Sequence, residues 1–243
     1  MPAVFIHGVP DTARLWSDLL ARLSRRDVVT LGLPGFQTPL PEHFDSSKES
    51  YVAWIIEQLE RIGTAVDLVA HDWGAILMQR VVSIRPDLIR TWAGGGGIVD
   101  REYAWHDFAR HLQTPEVGEQ VLEATMGPEA GVPLLVQLGI PVATAQEVAA
   151  GIDDRMKQSM LRLYRSATNV GAEWHAEVDA ITRPGLVIWG RDDPFVPVWF
   201  GERLASRVGG RFLAFDDCGH WWPIQRAVET AEALERFWSN GYR

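Results

Sequence analysis

The segment Ala65-Val66-Asp67-Leu68-Val69-Ala70-His71-Asp72-Trp73-Gly74-Ala75 constrains this chain more than any other. Val66–Val69 is a short apolar run of the kind that forms a buried strand, and Ala75–Ile84 has the apolar spacing of a helix. The turn between them must be so tight that strand and helix touch, which requires small residues two places to either side of its tip. Ala70 and Gly74 are small, and Asp72 is the tip. A carboxylate has no proton to lose, so it can attack carbon without an activating base and form an alkyl ester that water later cleaves. Such chemistry opens epoxides or displaces halide rather than cleaving carboxylic esters. An Asp here also fits a helix N-cap, and the short turn sequence taken alone fits both readings.

Around this segment, apolar runs alternate with amphipathic stretches, which predicts βα units and a mostly or wholly parallel sheet. Strands are predicted at Ala3–Ile6, Val28–Leu31, Val66–Val69, Thr91–Ala93, Leu186–Trp189 and Phe212–Phe215. Helices are predicted at Arg14–Leu23, Tyr51–Arg61, Ala75–Ile84, Trp199–Arg207 and Ala227–Trp238. Between roughly Ile98 and Thr182 the strand signal stops and three or four helices are expected, Glu116–Thr125 and Asp154–Ala167 being the clearest. The predicted organisation is an α/β core of residues 1–97 and 183–243 with a helical cap inserted at 98–182. A ligand crevice lies outside the carboxyl ends of the strands of an open α/β sheet, so this cap would roof it.

Composition excludes several functions. The 243 residues are 47% hydrophobic with a net charge of −9 and interspersed signs, so no basic stripe is available for nucleic acid. No secretory leader pattern and no run of about 18 apolar residues occurs, which predicts a soluble, cytoplasmic protein with no membrane partner. The single cysteine, Cys218, excludes an internal disulfide and reads as a packed apolar residue. No Cys/His cluster has zinc-ligand spacing, and neither metal nor cofactor is called for.

Other polar residues fall at the ends of predicted strands. His7-Gly8-Val9-Pro10 ends the first, where Gly8 lets the Val9 N–H turn inward; with the Trp73 N–H it would form an oxyanion hole. The fifth strand runs into Gly190-Arg191-Asp192-Asp193-Pro194-Phe195-Val196-Pro197 and the sixth into Asp216-Asp217-Cys218-Gly219-His220-Trp221. Parallel strands bring both ends to the edge that holds Asp72. There His220 can act as a general base and Asp193 can hold its tautomer.

The blocks HGVPDTARLW, LPGF, AHDWG, WGRDDPFVP and CGHWW resemble the α/β-hydrolase group of epoxide hydrolases and haloalkane dehalogenases, over nearly the whole chain. The resemblance implies the α/β-hydrolase fold, Asp72 as nucleophile, His220 as water-activating base and Asp193 as its acid. Some relatives carry the acid after the preceding strand, which here nominates Asp100 or Glu102. Relatives usually have an antiparallel strand pair ahead of the His-Gly segment. This chain begins almost at that segment, so a six-stranded, wholly parallel sheet with Val28–Leu31 at its edge is expected, and that edge or the cap is a candidate homodimer surface.

Opening an epoxide requires an acidic O–H or N–H at the ring oxygen. The resemblance implies two cap donors. Leu163-Tyr164-Arg165-Ser166 resembles the segment bearing one, and His111-Leu112-Gln113-Thr114-Pro115 puts His111 in the place of the other, with Tyr103 in reserve. Halide expulsion instead needs two N–H donors; Trp73 with Trp105 or Trp221 could supply them. The reading is an epoxide hydrolase acting on a small or medium apolar epoxide. The alternatives are a haloalkane or haloacid dehalogenase and a non-catalytic hydrolase fold that binds an apolar ligand.

Overall fold

The computed structural model describes residues 1–239. Its strands are β1 (Ala3–Ile6), β2 (Val28–Leu31), β3 (Val66–His71), β4 (Ile89–Gly95), β5 (Gly185–Gly190) and β6 (Arg211–Phe215). All pairings are parallel, in the order β2-β1-β3-β4-β5-β6, with β2 at one edge. Every strand therefore delivers its carboxyl end to the same side. The central strands β1, β3 and β5 are buried along their whole length, which is why they read as continuous apolar runs rather than alternating ones.

Helices α1 (Ser17–Leu20), α2 (Lys48–Ile62) and α3 (Trp73–Ile84) follow the first three strands' connections. In α2, Tyr51, Val52, Ile55 and Leu59 are buried at helical spacing. Ser47 caps it by accepting the Ser50 N–H, a bond worth about 1 kcal/mol, and Gly63 ends it at φ 74°. The stretch predicted as one helix from Arg14 is instead a tight 3₁₀ turn, Ala13–Trp16, followed by α1, so that Leu15, Trp16 and Leu19 all reach the core.

Between β4 and β5 stand six helices, more than expected: α4 (Asp107–Gln113), α5 (Val117–Thr125), α6 (Pro128–Gln137), α7 (Val142–Ala150), α8 (Asp154–Ser166) and α9 (Val170–Val178). The sequence hides α6 and α7 behind Pro128, Pro133 and Pro141. Pro128 opens its helix at a position whose N–H has no intrahelical partner anyway, and α6 tolerates Pro133 inside it. Helices α10 (Val198–Val208), α11 (Trp222–Gln225) and α12 (Ala227–Ser239) follow β5 and β6 among the described residues. Buried Lys48 of α2 ties the inserted helices to the core through the Ser166 carbonyl at 2.7 Å and Glu173 at 2.9 Å. Among the described residues no helix is long and apolar enough to cross a membrane.

Candidate active site

β3 passes into α3 through Asp72 alone, whose backbone sits at φ 53°, ψ −124°. A non-glycine residue there costs roughly 1–3 kcal/mol, and the strain holds the side chain off both elements at the carboxyl edge of the sheet. Two glycines make the turn possible. A Cβ on Gly74 would lie 2.6 Å from the His7 carbonyl oxygen, and one on Gly8 would lie 2.3 Å from Asp72 Oδ2. Nothing larger fits at either position.

The space kept by Gly8 lets the Val9 N–H donate to Asp72 Oδ2 at 2.8 Å. The Trp73 N–H also bonds the carboxylate. The other oxygen, Oδ1, faces His220 Nε2 at 3.5 Å. On the far side of that ring, His220 Nδ1 donates to Asp193 Oδ2 at 2.8 Å. Asp193 is itself fixed, its Oδ1 accepting the Phe195 and Val196 N–H groups at 2.8 and 3.0 Å. Burial works against charge on both Asp72 and His220, yet their partners outweigh it. The Asp72 carboxyl is held below the usual range, chiefly by His220, while Asp193 and Asp72 together raise His220 to about 10.

A strained tip residue, two backbone N–H donors and a buried acid–histidine pair, in the chain order Asp72, Asp193, His220, are the parts of a hydrolase site on a parallel sheet. Residues 3–233 match the model of the alpha/beta hydrolase family. The chain belongs to that family. Its sequence is 24% identical over 196 residues to (E)-2-((N-methylformamido)methylene)succinate hydrolase of Acinetobacter baylyi, a match covering 79% of this chain and 73% of that one. A shorter stretch of 47 residues is 51% identical to a 2-hydroxy-6-oxononadienedioate/2-hydroxy-6-oxononatrienedioate hydrolase of Escherichia coli, 19% of this chain and 15% of the relative. Similar solved structures include a thermophilic esterase from Thermogutta terrifontis, with TM-score 0.80 and 15% identity, covering 99% of this chain and 90% of the other. A haloalkane dehalogenase from Bradyrhizobium elkani superposes with TM-score 0.76 at 18% identity, over 99% and 91%. At these identities the structures share the fold.

In this hydrolase the carboxylate opens into a cavity of about 190 Å³ beneath the inserted helices. Its wall is apolar, with Phe108, Met126, Leu134, Leu135, Leu138 and Met160, except where Asp72, His220, Tyr164 and His106 face it. Tyr164, on α8, stands edge-on to the Trp73 indole at 4.9 Å. Burial and the Asp72 charge push its hydroxyl well above its ordinary pKa, so it enters the site protonated.

The cap histidine at the cavity is His106 and not His111. The buried side of α4 is Ala109 and Leu112, and His111, two residues on from Ala109 and so about 200° round the helix, is exposed to solvent. His106 precedes the helix as its N-cap, and its Nδ1 accepts the Ala109 N–H at 3.3 Å. A ring nitrogen that accepts carries no proton, so the proton sits on Nε2. Burial lowers the His106 pKa to about 4 and keeps the ring a neutral N–H donor. Sequence reasoning missed it because nothing in Ala104-Trp105-His106-Asp107 fixes where α4 begins.

The remaining candidates are engaged elsewhere. Tyr103 donates its hydroxyl to the Phe195 carbonyl at 3.2 Å. Asp100 is held by Arg203 and Arg207 of α10 at 3.3 and 3.2 Å, and exposed Glu102 pairs with Arg203. Neither acid faces His220. Of the indoles named as halide donors, Trp105 donates to the Ala167 carbonyl at 3.2 Å and Trp221 to Asp11 Oδ2 at 2.9 Å. Two more buried groups went unnoticed in the sequence: Asp11, and His71, whose Nε2 bonds the His220 carbonyl at 2.9 Å and steadies the loop that carries His220. Cys218 is buried and its thiol is pushed up to about 11 by that burial. Among the described residues no group of three or more His, Cys, Asp or Glu is arranged to hold a metal ion.

Proposed function

We propose that the chain is an epoxide hydrolase working through an Asp72 ester. The observation that carries this reading is the pairing of two neutral proton donors, Tyr164 and His106, with the Asp72 carboxylate across one apolar cavity. A leaving alkoxide needs such donors, and a leaving halide does not. Halide displacement draws on one observation, the buried Trp73 indole N–H, which makes no well-aligned hydrogen bond among the described residues and lies against the Tyr164 hydroxyl. It needs a second N–H, and those of Trp105 and Trp221 are already bonded to protein.

In the first half-reaction Asp72 Oδ1 bonds to an epoxide carbon, the carbon–oxygen bond breaks, and the ring oxygen takes a proton from Tyr164 while His106 donates to it. Forming the neutral ester removes the Asp72 charge. That charge is one of the forces raising Tyr164 and His220, so both become more acidic at that moment. His220 then returns a proton to the Tyr164 oxygen by way of the new hydroxyl and becomes a free base. In the second half-reaction His220 takes a proton from water, the hydroxide adds to the ester carbon, and the negative charge gathers on Oδ2 between the Val9 and Trp73 N–H groups. Collapse releases the diol and restores both the carboxylate and the imidazolium. Protons balance without any external base.

One turnover with excess enzyme in heavy-oxygen water tests the route. Label is expected in Asp72 and not in the first diol. A labelled first diol means direct attack by water and overturns the nucleophile assignment.

A further inference from the structure

Beside the reaction cavity lies a solvent-facing pocket of about 250 Å³, between the loop after β1 and helix α7. Pro10 lines both. Trp221 lines only the inner cavity and Asp11 only the outer, and the bond from Trp221 Nε1 to Asp11 Oδ2, 2.9 Å long, runs between the two walls. Asp11 is only 3% exposed and Trp221 equally so. The indole also stands edge-on to His220 at 4.9 Å and to Phe195 at 6.1 Å, so three contacts hold it in place.

From this arrangement, and resting on the epoxide reading above, we infer that Trp221 is the partition that sets substrate length and that Asp11 is the latch holding it. The inner cavity is small for a ligand site. Its size suits the parent enzyme to short or single-ring epoxides. The outer cavity differs in character. Its wall carries Asp18 and Glu147 against the single cation Arg14, with Thr12, Gln37 and Asp11, whose pKa burial raises to about 7, beside them. A chain that passed the partition would meet hydrogen-bond acceptors and net negative charge. The substrate class it fits is therefore a terminal epoxide on a long alkyl chain whose far end is a hydroxyl or an ammonium, and not a carboxylate.

The partition is tested by the ratio of kcat/KM for an epoxydecanol, hydroxylated at the far end, to that for epoxybutane. Each methylene newly admitted to an apolar wall is worth about a four-fold gain. Trp221→Ala is expected to raise the ratio at least about ten-fold. Asp11→Ala should raise it in the same direction by less, and Asp11→Asn, whose side-chain carbonyl can still accept the indole N–H, should stay within about two-fold of the parent. A ratio unmoved in both alanine variants overturns the inference. If Trp221→Ala loses its circular dichroism signature of folding, Asp11→Ala and Trp221→Phe carry the same comparison. The ratio of affinities for decanediol and butanol, from tryptophan quenching, reads the partition even if the parent turns over no epoxide, so its failure and that of the epoxide reading stay distinct.

Discussion

Replacing Tyr164 by Phe removes one hydroxyl and keeps the ring, whose contacts with Trp73 and Trp105 at 4.9 and 5.7 Å hold that part of the cavity wall. Stability should therefore change by no more than about 1 kcal/mol, the net worth of a single hydrogen bond. The rate effect is larger because the lost donor acts where charge develops. One such donor is typically worth ~10²–10³ in rate, or roughly 3–4 kcal/mol. His106 donates at the same oxygen, so the single variant should lie near the lower figure. Adding His106→Ser, which keeps a capping oxygen for the Ala109 N–H and withdraws the imidazole, should abolish ring opening. The assay is single-turnover stopped flow with enzyme in excess, following tryptophan fluorescence as the ester forms. Binding should change little, since the hydroxyl acts mainly in the transition state. A Tyr164→Phe enzyme that opens epoxides within about three-fold of the parent refutes the reasoning. Loss of haloalkane turnover with epoxide opening intact would transfer the cap pair to halide chemistry.

Two further outcomes follow from the same geometry. His220→Gln should form the ester and stall, raising the intact-protein mass by one substrate; an inactive and unmodified protein counts against a base used only in the second half-reaction. The rate of ester formation should be level through neutral pH. The proton that ring opening consumes comes from Tyr164, whose pKa burial and the Asp72 charge push well above its ordinary value, and the attacking Asp72 carboxyl is held below its usual range, so both groups stay in their working forms there. Ester formation that instead climbs with pH between about 6 and 8 would mean a neutral His220 is required for attack.

The sheet and the residues at its carboxyl edge were legible in the sequence because each depends on a local pattern. Asp72 sits in a turn that only small flanking residues allow, and Asp193 and His220 each follow a strand whose apolar run is plain. All six strands fall where the apolar runs are; β1 and β2 have the expected bounds, and the other four are lengthened by a residue or two at their ends, as with Ile89–Gly95 around Thr91–Ala93. The cap was harder. His111 was nominated by the resemblance of its segment, whereas the histidine at the cavity is His106, which precedes α4 as its N-cap. Proline masked α6 and α7. The fates of the Trp105 and Trp221 N–H groups, and the burial of Asp11, were set by partners 62 and 210 residues away in sequence, which no local pattern reports.

The two oxygens of Asp72 differ permanently. Oδ2 is held by the Val9 N–H in a space that not even a methyl group on Gly8 could share, while Oδ1 faces His220. On the proposed route Oδ1 departs with the diol, and the oxygen that replaces it arrives from the His220 side and becomes the next attacking atom. The protein thus carries a memory one turnover long. Each product leaves with the oxygen atom that its predecessor's ester drew from solvent, and in heavy-oxygen water the second diol should be fully labelled where a freely rotating carboxylate would label half.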